Sequence, residues 1–544
     1  MQTLKALLPW ATLFGIAFGL RLIGIRWGLP NAEHHYSYHP DEWLLLLASY
    51  FVINPYAGEF LPGFYNYGTL PMYLWSFWLH WLDAVGVITR LPQNPTPEQV
   101  AALRAELYLW ARGLVALLGA GTAVVVGRTL ALVAGMRAGI VAGLAIALAP
   151  AFVVHSRFQT VDVPTTFFVA LVFHQSVAML QSPRPSRSLL WGALWAGCAA
   201  GSKYNAGLVL LAPLMSVWLL PQQPVGRRVA WSAVAVGATG LTFLVVCPAI
   251  WADPTPFWKH FWYEVRHVGM GHGEVFTNTG LGWVYHLTPN LSTGFGALGL
   301  IASAVGWMLH GRQRALWSIF VASLAYYLLI GAAEVRFLRY TFPLFPALAI
   351  GVGLCAVPAT TPLRLPFVRP LAFGLASVAL LWQLVSAVDL TACMVRPDAR
   401  DQAVAWLRAN LPPNASVGMP TVPWFYTPPL FPETGALRWQ ERLEYARQAA
   451  PYRLVVLAPP EWNAEALRAS LPEYLIITEF EERDVQRIGR ADYKAFMHAV
   501  AQHYTLLRTF QNDPPLLGRS RQMPHDLLYI CPTVKVYRLA GAVD

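Results

Sequence analysis

Residues 107–131 read LYLWARGLVALLGAGTAVVVGRTLA, and this stretch decides what kind of fold the chain adopts. It is apolar apart from one arginine near each end, Arg112 and Arg128. A helix of about 20 such residues crosses the hydrocarbon core of a bilayer. Charged side chains are kept at the edges of that core because burying them inside it is expensive. We therefore interpret residues 108–126 as a transmembrane helix.

The rest of the chain repeats this pattern. It has 544 residues, of which 56% are hydrophobic and 12% charged, with a mean hydropathy of +0.43, and this excludes an ordinary soluble enzyme. The first apolar span is expected to be a retained helix rather than a signal peptide, because it lacks a small-residue cleavage site. We predict an all-α polytopic membrane domain over residues 1–395, with about eleven transmembrane helices near residues 6–25, 108–126, 139–155, 163–180, 188–202, 205–220, 229–248, 293–309, 315–331, 341–357 and 371–389.

The placement of arginines predicts the orientation. If the N-terminus is cytoplasmic, five alternate loops are cytoplasmic too, and they contain ten arginines and no acid, as the positive-inside rule expects. An odd number of spans then puts the C-terminal region outside the cytoplasm. The net charge of +10 is mostly this topology signal, so no nucleic-acid partner is predicted. The five loops lie at residues 127–139, 181–188, 221–228, 310–314 and 358–370.

Residues 396–544 have a different character, with 17 Lys/Arg against 16 Asp/Glu, whereas residues 1–395 have 22 against 13. An amphipathic pattern over residues 401–412 predicts a helix, and a further helical stretch is predicted over 461–470. The segments YRLVVLAP, EYLIITEF, HYTLLRTF and TVKVYRL are typical of strands. We predict a small extracytoplasmic α/β domain. It has no glycine-rich phosphate loop, so an accessory or substrate-contacting role is expected.

The longest early loop, residues 26–107, contains two adjacent acids, Asp41 and Glu42, in the motif YHPDE. Neighbouring residues of a helix or strand point in different directions, so the two carboxylates are expected to have different roles. The structural alternative is a helix start after Pro40, where negative charge favours the helix dipole. The position between aromatic-rich membrane segments favours a functional site.

Four basic residues have both a binding and a structural interpretation. Arg112 either snorkels to the headgroups or binds a lipid phosphate through its planar fork. Lys203, in GSKYN, is a lone lysine between two apolar spans and has the same alternatives. Arg336 and Arg339 lie three residues apart, so they form either an anion clamp on one helical face or an interfacial anchor.

Two other clusters of polar residues also have more than one interpretation. The segment between the third and fourth spans contains His155, Arg157 and Asp162. These residues form either part of a site or a short hairpin with an internal Arg157–Asp162 ion pair. The segment EVRHVGMGHGE (264–274) resembles a metal cluster, but its histidines are five residues apart and separated by two glycines, which favours a flexible loop and no metal site. Five scattered cysteines predict neither a disulfide framework nor a zinc site.

Several motifs together resemble bacterial integral-membrane glycosyltransferases of the GT-C superfamily. The nearest group contains protein O-mannosyltransferases, glycosyltransferase family 39, and lipid A aminoarabinose transferases. The resemblance spans about residues 1–412 and is moderately specific in the order of its motifs. The matching stretches are YHPDE after the first span and residues 107–131, 149–173, 200–214, 336–350 and 396–417.

This resemblance implies a polyprenyl-phosphate-linked sugar donor, an acceptor that arrives from outside, and inversion at the anomeric carbon. It assigns the general-base role to Asp41 and a supporting role to Glu42. Arg112 becomes a ligand of the donor phosphate, and Lys203, Arg336 and Arg339 become further candidates for stabilising charge on the leaving phosphate. His155, Arg157 and Asp162 remain other site candidates.

The expected partners are therefore the polyprenyl-phosphate donor, the membrane, and a lipid, glycan or protein acceptor. No resident cofactor is predicted, and dependence on a divalent metal stays open. Two other functions also stay open, namely a flippase or transporter of lipid-linked sugars and a non-catalytic membrane scaffold. Transporters often carry internal repeats and broken helices, and neither is evident in this sequence.

Overall fold

A computed structural model of the chain describes residues 2–221, 223–311, 313–357, 367–432, 441–444, 452–520 and 522–541. Helices fill most of the chain up to residue 410, and a five-stranded sheet follows. The predicted class, a helical membrane domain with a small C-terminal α/β domain, is confirmed. The predicted cytoplasmic loop at 358–370 lies mostly outside the described residues.

The helical part is built from α-helices that are joined by short 3₁₀ and π segments. The α-helices are α1 (Gln2–Leu22), α2 (Glu42–Leu46), α3 (Leu70–Ala84), α4 (Pro97–Ala147), α5 (Pro150–His155), α6 (Asp162–Gln181), α7 (Pro185–Ser202), α8 (Leu211–Leu219), α9 (Val225–Val246), α10 (Ala249–Ala252), α11 (Pro254–Met270), α12 (Gly282–Tyr285), α13 (Ala297–His310), α14 (Trp317–Gly331), α15 (Phe345–Leu354), α16 (Val368–Val395) and α17 (Ala399–Asn410). The 3₁₀ and π segments are Leu47–Val52, Tyr204–Leu210, His286–Gly296, Arg314–Leu316 and Leu338–Leu344.

A helix lies at each of the eleven predicted span positions. Among the described residues, 6 helical stretches are both long and apolar enough to cross a membrane. Shorter apolar helices occupy several of the remaining positions. The protein is thus a multi-pass membrane protein, while the count of eleven crossings and the orientation of the termini stay predictions.

Helix α4 folds back on itself and accounts for two of the predicted spans. The reversal occurs at Gly135, whose φ of 83° lies in the left-handed region that favours glycine. The two arms approach so closely that a Cβ on Gly139 would lie 2.5 Å from the carbonyl oxygen of Gly127. The prediction of a loop over residues 127–139 is therefore wrong, because most of this segment is helical and the turn is confined to one glycine.

The C-terminal domain contains a mixed sheet in the order β2-β1-β3-β5-β4. Strand β1 pairs in parallel with β2 and β3, and β5 pairs antiparallel with β3 and β4. The four predicted strands are confirmed, whereas the short β1 was missed. The strands are β1 (Ser416–Met419), β2 (Arg453–Val456), β3 (Tyr474–Thr478), β4 (Tyr504–Gln511) and β5 (Thr533–Leu539), and helices Ala464–Ser470, Glu479–Ile488 and Ala491–His503 complete the domain.

Buried carboxylates fix this domain to the ends of the membrane helices. Asp389, near the end of α16, accepts hydrogen bonds of 2.8 and 2.7 Å from the backbone N–H groups of residues 516 and 517. Asp526, from the C-terminal domain, accepts hydrogen bonds from the backbone N–H groups of Leu338 (3.3 Å) and Arg339 (3.1 Å). The domain therefore contacts the 3₁₀ segment that carries Arg339.

Candidate active site

Asp41 stands at the start of α2 but does not behave as a helix cap. Its side chain makes no capping hydrogen bond and instead lies 3.1 Å from Nη2 of Arg339, with 29% of the side chain exposed. Burial alone would raise the pKa of Asp41, but Arg339 and the weaker positive charges around it together hold this pKa below its ordinary value. Asp41 is therefore an ionised, accessible carboxylate at neutral pH.

Arg339 is shared by three carboxylates. Besides Asp41, it faces Asp162 at 3.9 Å and Asp526 at 3.8 Å. Its guanidinium carbon lies 4.4 Å from the centre of the Phe337 ring. Nη1 of Arg339 has no hydrogen-bond partner among the described residues. The buried guanidinium thus holds three carboxylates around one point and keeps one nitrogen without a hydrogen bond.

Lys203 is held beside this cluster by Asp162. Its Nζ lies 2.7 Å from Oδ1 of Asp162 and 3.8 Å from the centre of the Tyr340 ring. An ammonium group carries three donors, and Asp162 takes one of them. Asp162 thus bridges two cations, Lys203 and Arg339, and keeps both at the same place despite their mutual repulsion.

Glu42, the second acid of the motif, forms a buried bidentate pair with Arg112. The distances are 2.8 Å from Nε to Oε1 and 2.6 Å from Nη2 to Oε2, and both side chains are fully buried. Arg112 also donates to the carbonyl oxygens of Ile25 and Trp27 and to the Ser37 hydroxyl. All five N–H groups of Arg112 are used within the protein, so this geometry favours a positioning role over phosphate binding.

The acceptor positions of the Glu42 carboxylate are also occupied within the protein. It accepts a 2.7 Å hydrogen bond from the backbone N–H of Gln159 and one from the Ser37 hydroxyl, in addition to its two bonds with Arg112. It therefore joins the first loop to α4 and to the segment between α5 and α6. The two adjacent acids face different partners, and only Asp41 is open to a substrate.

Arg157 does not pair with Asp162. It donates to the carbonyl oxygen of Leu20 (2.8 Å) and to Oγ1 of Thr391 (2.8 Å), which ties α1 to α16. The Arg157–Asp162 ion pair predicted for the hairpin alternative is therefore wrong, because Asp162 pairs with Lys203. Arg157 lies outside the cluster around Arg339.

Arg336 and His155 also stand apart from the exposed carboxylate. Arg336 donates to Oγ1 of Thr279 (2.8 Å) and to the carbonyl oxygen of Gly280 (2.7 Å), so it anchors a loop. His155 is fully buried, with its ring 5.1 Å from the Phe342 ring. Neither ring nitrogen of His155 has a hydrogen-bond partner among the described residues.

Residues of this cluster line two cavities. The first, here called the apolar cavity, has a volume of about 330 Å³. The second, here called the acidic cavity, has a volume of about 280 Å³ and includes Asp41 and Arg339. Arg339 lines the acidic cavity, and the next residue, Tyr340, lines the apolar cavity. The apolar cavity is lined by Asn66, Tyr67, Lys203, Tyr204, Asn205, Phe261, Glu264, Val265, Val268, Leu329, Ile330, Ala333 and Tyr340.

The described residues contain no group of three or more His, Cys, Asp or Glu side chains arranged to hold a metal ion. His267 and His272 contact each other at 3.2 Å through ring nitrogens. The prediction of a loop over residues 264–274 is wrong for residues 264–270, which form the end of helix α11, and only the glycine-containing residues after Met270 are non-helical.

Sequence analysis missed Asp526, which reaches the cluster from the C-terminal domain. Asp526 is fully buried, and burial raises the pKa of its carboxyl. The signal available in the sequence is an acid within the otherwise apolar run HDLLYI (525–530). This signal does not show that the acid meets Arg339, because that contact depends on the fold.

Comparisons with known proteins agree with the resemblance seen in the sequence. Residues 100–251 match the family model described as dolichyl-phosphate-mannose-protein mannosyltransferase. The resemblance to protein O-mannosyltransferases is confirmed over this stretch, which includes α6, α7 and most of α4. No curated protein sequence matches the chain.

Similar solved structures have low sequence identity. ArnT from Cupriavidus metallidurans bound to undecaprenyl phosphate is 15% identical, with a TM-score of 0.47, over 98% of this chain and 99% of that one. AglB from Archaeoglobus fulgidus, in complex with an inhibitory peptide and a dolichol-phosphate, is 12% identical, with a TM-score of 0.46, over 97% and 88%. The Pmt1-Pmt2 complex of S. cerevisiae bound to the sugar donor is 18% identical, with a TM-score of 0.34, over 54% and 37%.

Proposed function

We propose that this protein is an inverting glycosyltransferase that moves a sugar from a polyprenyl-phosphate donor to an acceptor hydroxyl on the extracytoplasmic side of the membrane. The family match over residues 100–251 supports the reaction class. The observation that carries the proposal is the Asp41–Arg339 pair in the acidic cavity, which Asp162 links to Lys203 in the apolar cavity. Asp41 accepts a proton, and Arg339 stabilises a phosphate.

The apolar cavity is assigned to the donor lipid next to its phosphate. Its walls are mostly hydrophobic, and Lys203 supplies a positive charge. Glu264 lies in the same wall, and burial raises the pKa of its carboxyl. The isoprenoid chain lies against the apolar wall, and the phosphate lies between Lys203 and Arg339.

The reaction exchanges one bond for another at the anomeric carbon. The acceptor oxygen forms a bond to that carbon while the bond from the carbon to the phosphate oxygen breaks. The hydroxyl proton passes to the Asp41 carboxylate, and the electron pair of the broken bond stays on the phosphate. Inversion needs no covalent enzyme intermediate, so one accessible carboxylate is enough.

Charge that grows on the leaving phosphate is stabilised by Lys203 and Arg339. Their fixed positions beside Asp162 mean that the donors are already aligned, and the surrounding low dielectric strengthens each contact. A single donor of this kind contributes about 3 to 4 kcal/mol to lowering the barrier. Glu42 and Arg112 act indirectly, since they hold the first loop and with it the backbone of Asp41.

Release of polyprenyl phosphate from a polyprenyl-phosphate hexose tests this proposal. The protein is reconstituted in lipid vesicles, and the lipid product is quantified by mass spectrometry. Lys203→Met is expected to lower turnover by about 10²-fold or more, whereas Lys494→Met, at an exposed site of the C-terminal domain, leaves it unchanged. Absence of lipid release by the wild-type protein, or equal rates for both variants, contradicts the proposal.

A further inference from the structure

The acidic cavity is formed jointly by the membrane region and the C-terminal domain. Asp41 and Arg339 form one side, and most of the remaining wall comes from beyond residue 420. Any acceptor that reaches Asp41 through this cavity therefore contacts the C-terminal domain. The wall from that domain includes Thr421, Trp424, Tyr426, Phe480, Glu481 and Tyr529.

Carboxylates outnumber cations in this cavity. Of its two arginines, Arg339 pairs with Asp41 at 3.1 Å and Arg490 pairs with Glu274 at 2.9 Å. Burial lowers the pKa of both cavity histidines, so they are neutral at pH 7. Both arginines are therefore already paired with carboxylates, and the described lining residues of this cavity offer no unpaired cation to an acceptor phosphate or carboxylate. The cavity carboxylates are Asp41, Glu274, Glu461, Glu481 and Asp484, and its histidines are His272 and His525.

Aromatic rings line the same space. Trp424, Tyr426 and Phe480 are each partly exposed, and the rings of Tyr426 and Phe480 stack at 5.6 Å with an angle of 9°. Aromatic faces pack well against flat apolar surfaces such as the C–H face of a sugar ring. Carboxylates beside such rings accept hydrogen bonds from sugar hydroxyls. A volume of about 280 Å³ suits one small group rather than a folded peptide segment.

Glu481 is a partly buried carboxylate in this wall, and burial raises its pKa to about 7. Its Oε1 accepts from the Thr421 hydroxyl, and its Oε2 accepts from the backbone N–H (2.9 Å) and hydroxyl (2.7 Å) of Thr478. Each carboxylate oxygen offers about two acceptor positions. One position on Oε1 therefore remains for a ligand hydroxyl.

We propose that the acidic cavity binds the acceptor, and that this acceptor is the hydroxyl of a neutral carbohydrate, recognised by Trp424 and Glu481 of the C-terminal domain. This rests on the proposed glycosyltransferase function. The sugar ring packs on the indole, and a hydroxyl donates to Glu481. A second hydroxyl points to Asp41. Its oxygen forms a bond to the anomeric carbon of the donor, and its proton passes to the Asp41 carboxylate. The bond from that carbon to the phosphate oxygen breaks, and the lipid phosphate leaves with the electron pair.

Acceptor-stimulated lipid release tests this inference on the full-length protein in vesicles. Three probes are compared at equal concentration: neutral methyl hexosides, an N-acetylated Ser/Thr peptide, and a hexose 1-phosphate. We expect the neutral hexosides to raise the rate of polyprenyl phosphate release by at least about tenfold, with formation of a disaccharide glycoside. The peptide and the phosphorylated sugar are expected to leave the rate at its value in buffer.

Two variants assign the recognition to the C-terminal domain. Glu481→Gln is expected to raise the KM for the hexoside by about tenfold, because one acceptor oxygen is replaced by an amide N–H group and a hydrogen bond is lost, while kcat changes much less. Trp424→Ala is expected to raise the same KM, and Trp424→Phe to recover part of it. Glu465→Gln, at an exposed site of the same domain, is the matched control and is expected to behave like wild type.

The outcomes separate this inference from the proposed function. Slow lipid release in buffer together with stimulation by the peptide or the phosphorylated sugar alone overturns the carbohydrate assignment and leaves the glycosyltransferase proposal intact. Unchanged hexoside KM in both Glu481→Gln and Trp424→Ala, at unchanged thermal midpoints, overturns the assignment to this cavity. No lipid release under any condition refutes the proposed function and this inference with it.

Discussion

Replacing Arg112 by methionine tests the assignment of the buried Glu42–Arg112 pair to loop positioning. Both side chains are fully buried, so Arg112→Met leaves the Glu42 carboxylate without its cation. Removing one partner of a buried ion pair costs about 3 to 5 kcal/mol. The carbonyl groups of Ile25 and Trp27 also lose their donors. The loss in the free energy of unfolding is therefore expected at the upper end of this range.

Glu42→Gln provides the reciprocal test. It keeps the shape of the side chain but places an amide N–H group against the donors of Arg112, so we expect a loss of about 3 kcal/mol or more. The double variant is expected to lose less than the sum of the two single variants, with a coupling of about 1 to 3 kcal/mol. Arg187→Met, at an exposed position, serves as the control.

These free energies are measured by denaturant-induced unfolding in detergent, together with the donor KM of every variant that remains folded. A positioning role predicts a large loss of stability and a fall in kcat. An Arg112→Met protein with wild-type stability and a strongly raised donor KM would refute the reasoning. Arg112 would then be a phosphate ligand, as the family resemblance implied.

Three further predictions concern orientation and electrostatics. A cysteine introduced by Ser470→Cys is expected to react with an impermeant maleimide in intact cells, and one introduced by Ser186→Cys only after lysis; the reverse pattern contradicts the predicted topology. Arg339→Lys is expected to lower kcat by about 10²-fold, since an ammonium keeps the charge but lacks the fork, and an unchanged kcat would exclude Arg339 from the reaction. Because burial raises the pKa of Asp526, protonation at lower pH reduces the negative charge near the phosphate site, so the donor KM is expected to rise with pH in the wild type and to change less in Asp526→Asn.

Most of the helical architecture follows from the sequence because apolar length is a local property. The prediction of eleven helical positions needed only runs of about 20 residues and the charges between them. It failed at residues 127–139, where two arginines suggested a loop and the chain instead turns at Gly135. In the C-terminal domain, β1 was missed because residues 416–419 are few, include a glycine and lack alternation.

The site was only partly predictable, because its contacts join distant parts of the chain. The sequence identifies Asp41, Lys203 and Arg339 as polar residues at the edges of apolar spans, but it does not show which cation each acid meets. Arg112 illustrates the limit, since its planar fork suits a phosphate and a carboxylate equally well. The structure shows that the guanidinium of Arg112 binds the carboxylate of Glu42, which is 70 positions away in the sequence.

Sugar transfer by Asp41→Asn tests the central claim most directly. Asparagine keeps the shape of the side chain and cannot accept the proton, so transfer from a polyprenyl-phosphate donor is expected to fall by about 10² to 10⁴-fold. Wild type and variant are compared at matched expression and matched thermal midpoint. If Asp41 were only a charge at the start of a helix, asparagine would substitute well and the loss would be about 0.3 to 1 kcal/mol of stability. Transfer at a near-normal rate by Asp41→Asn would contradict its assignment as the catalytic base.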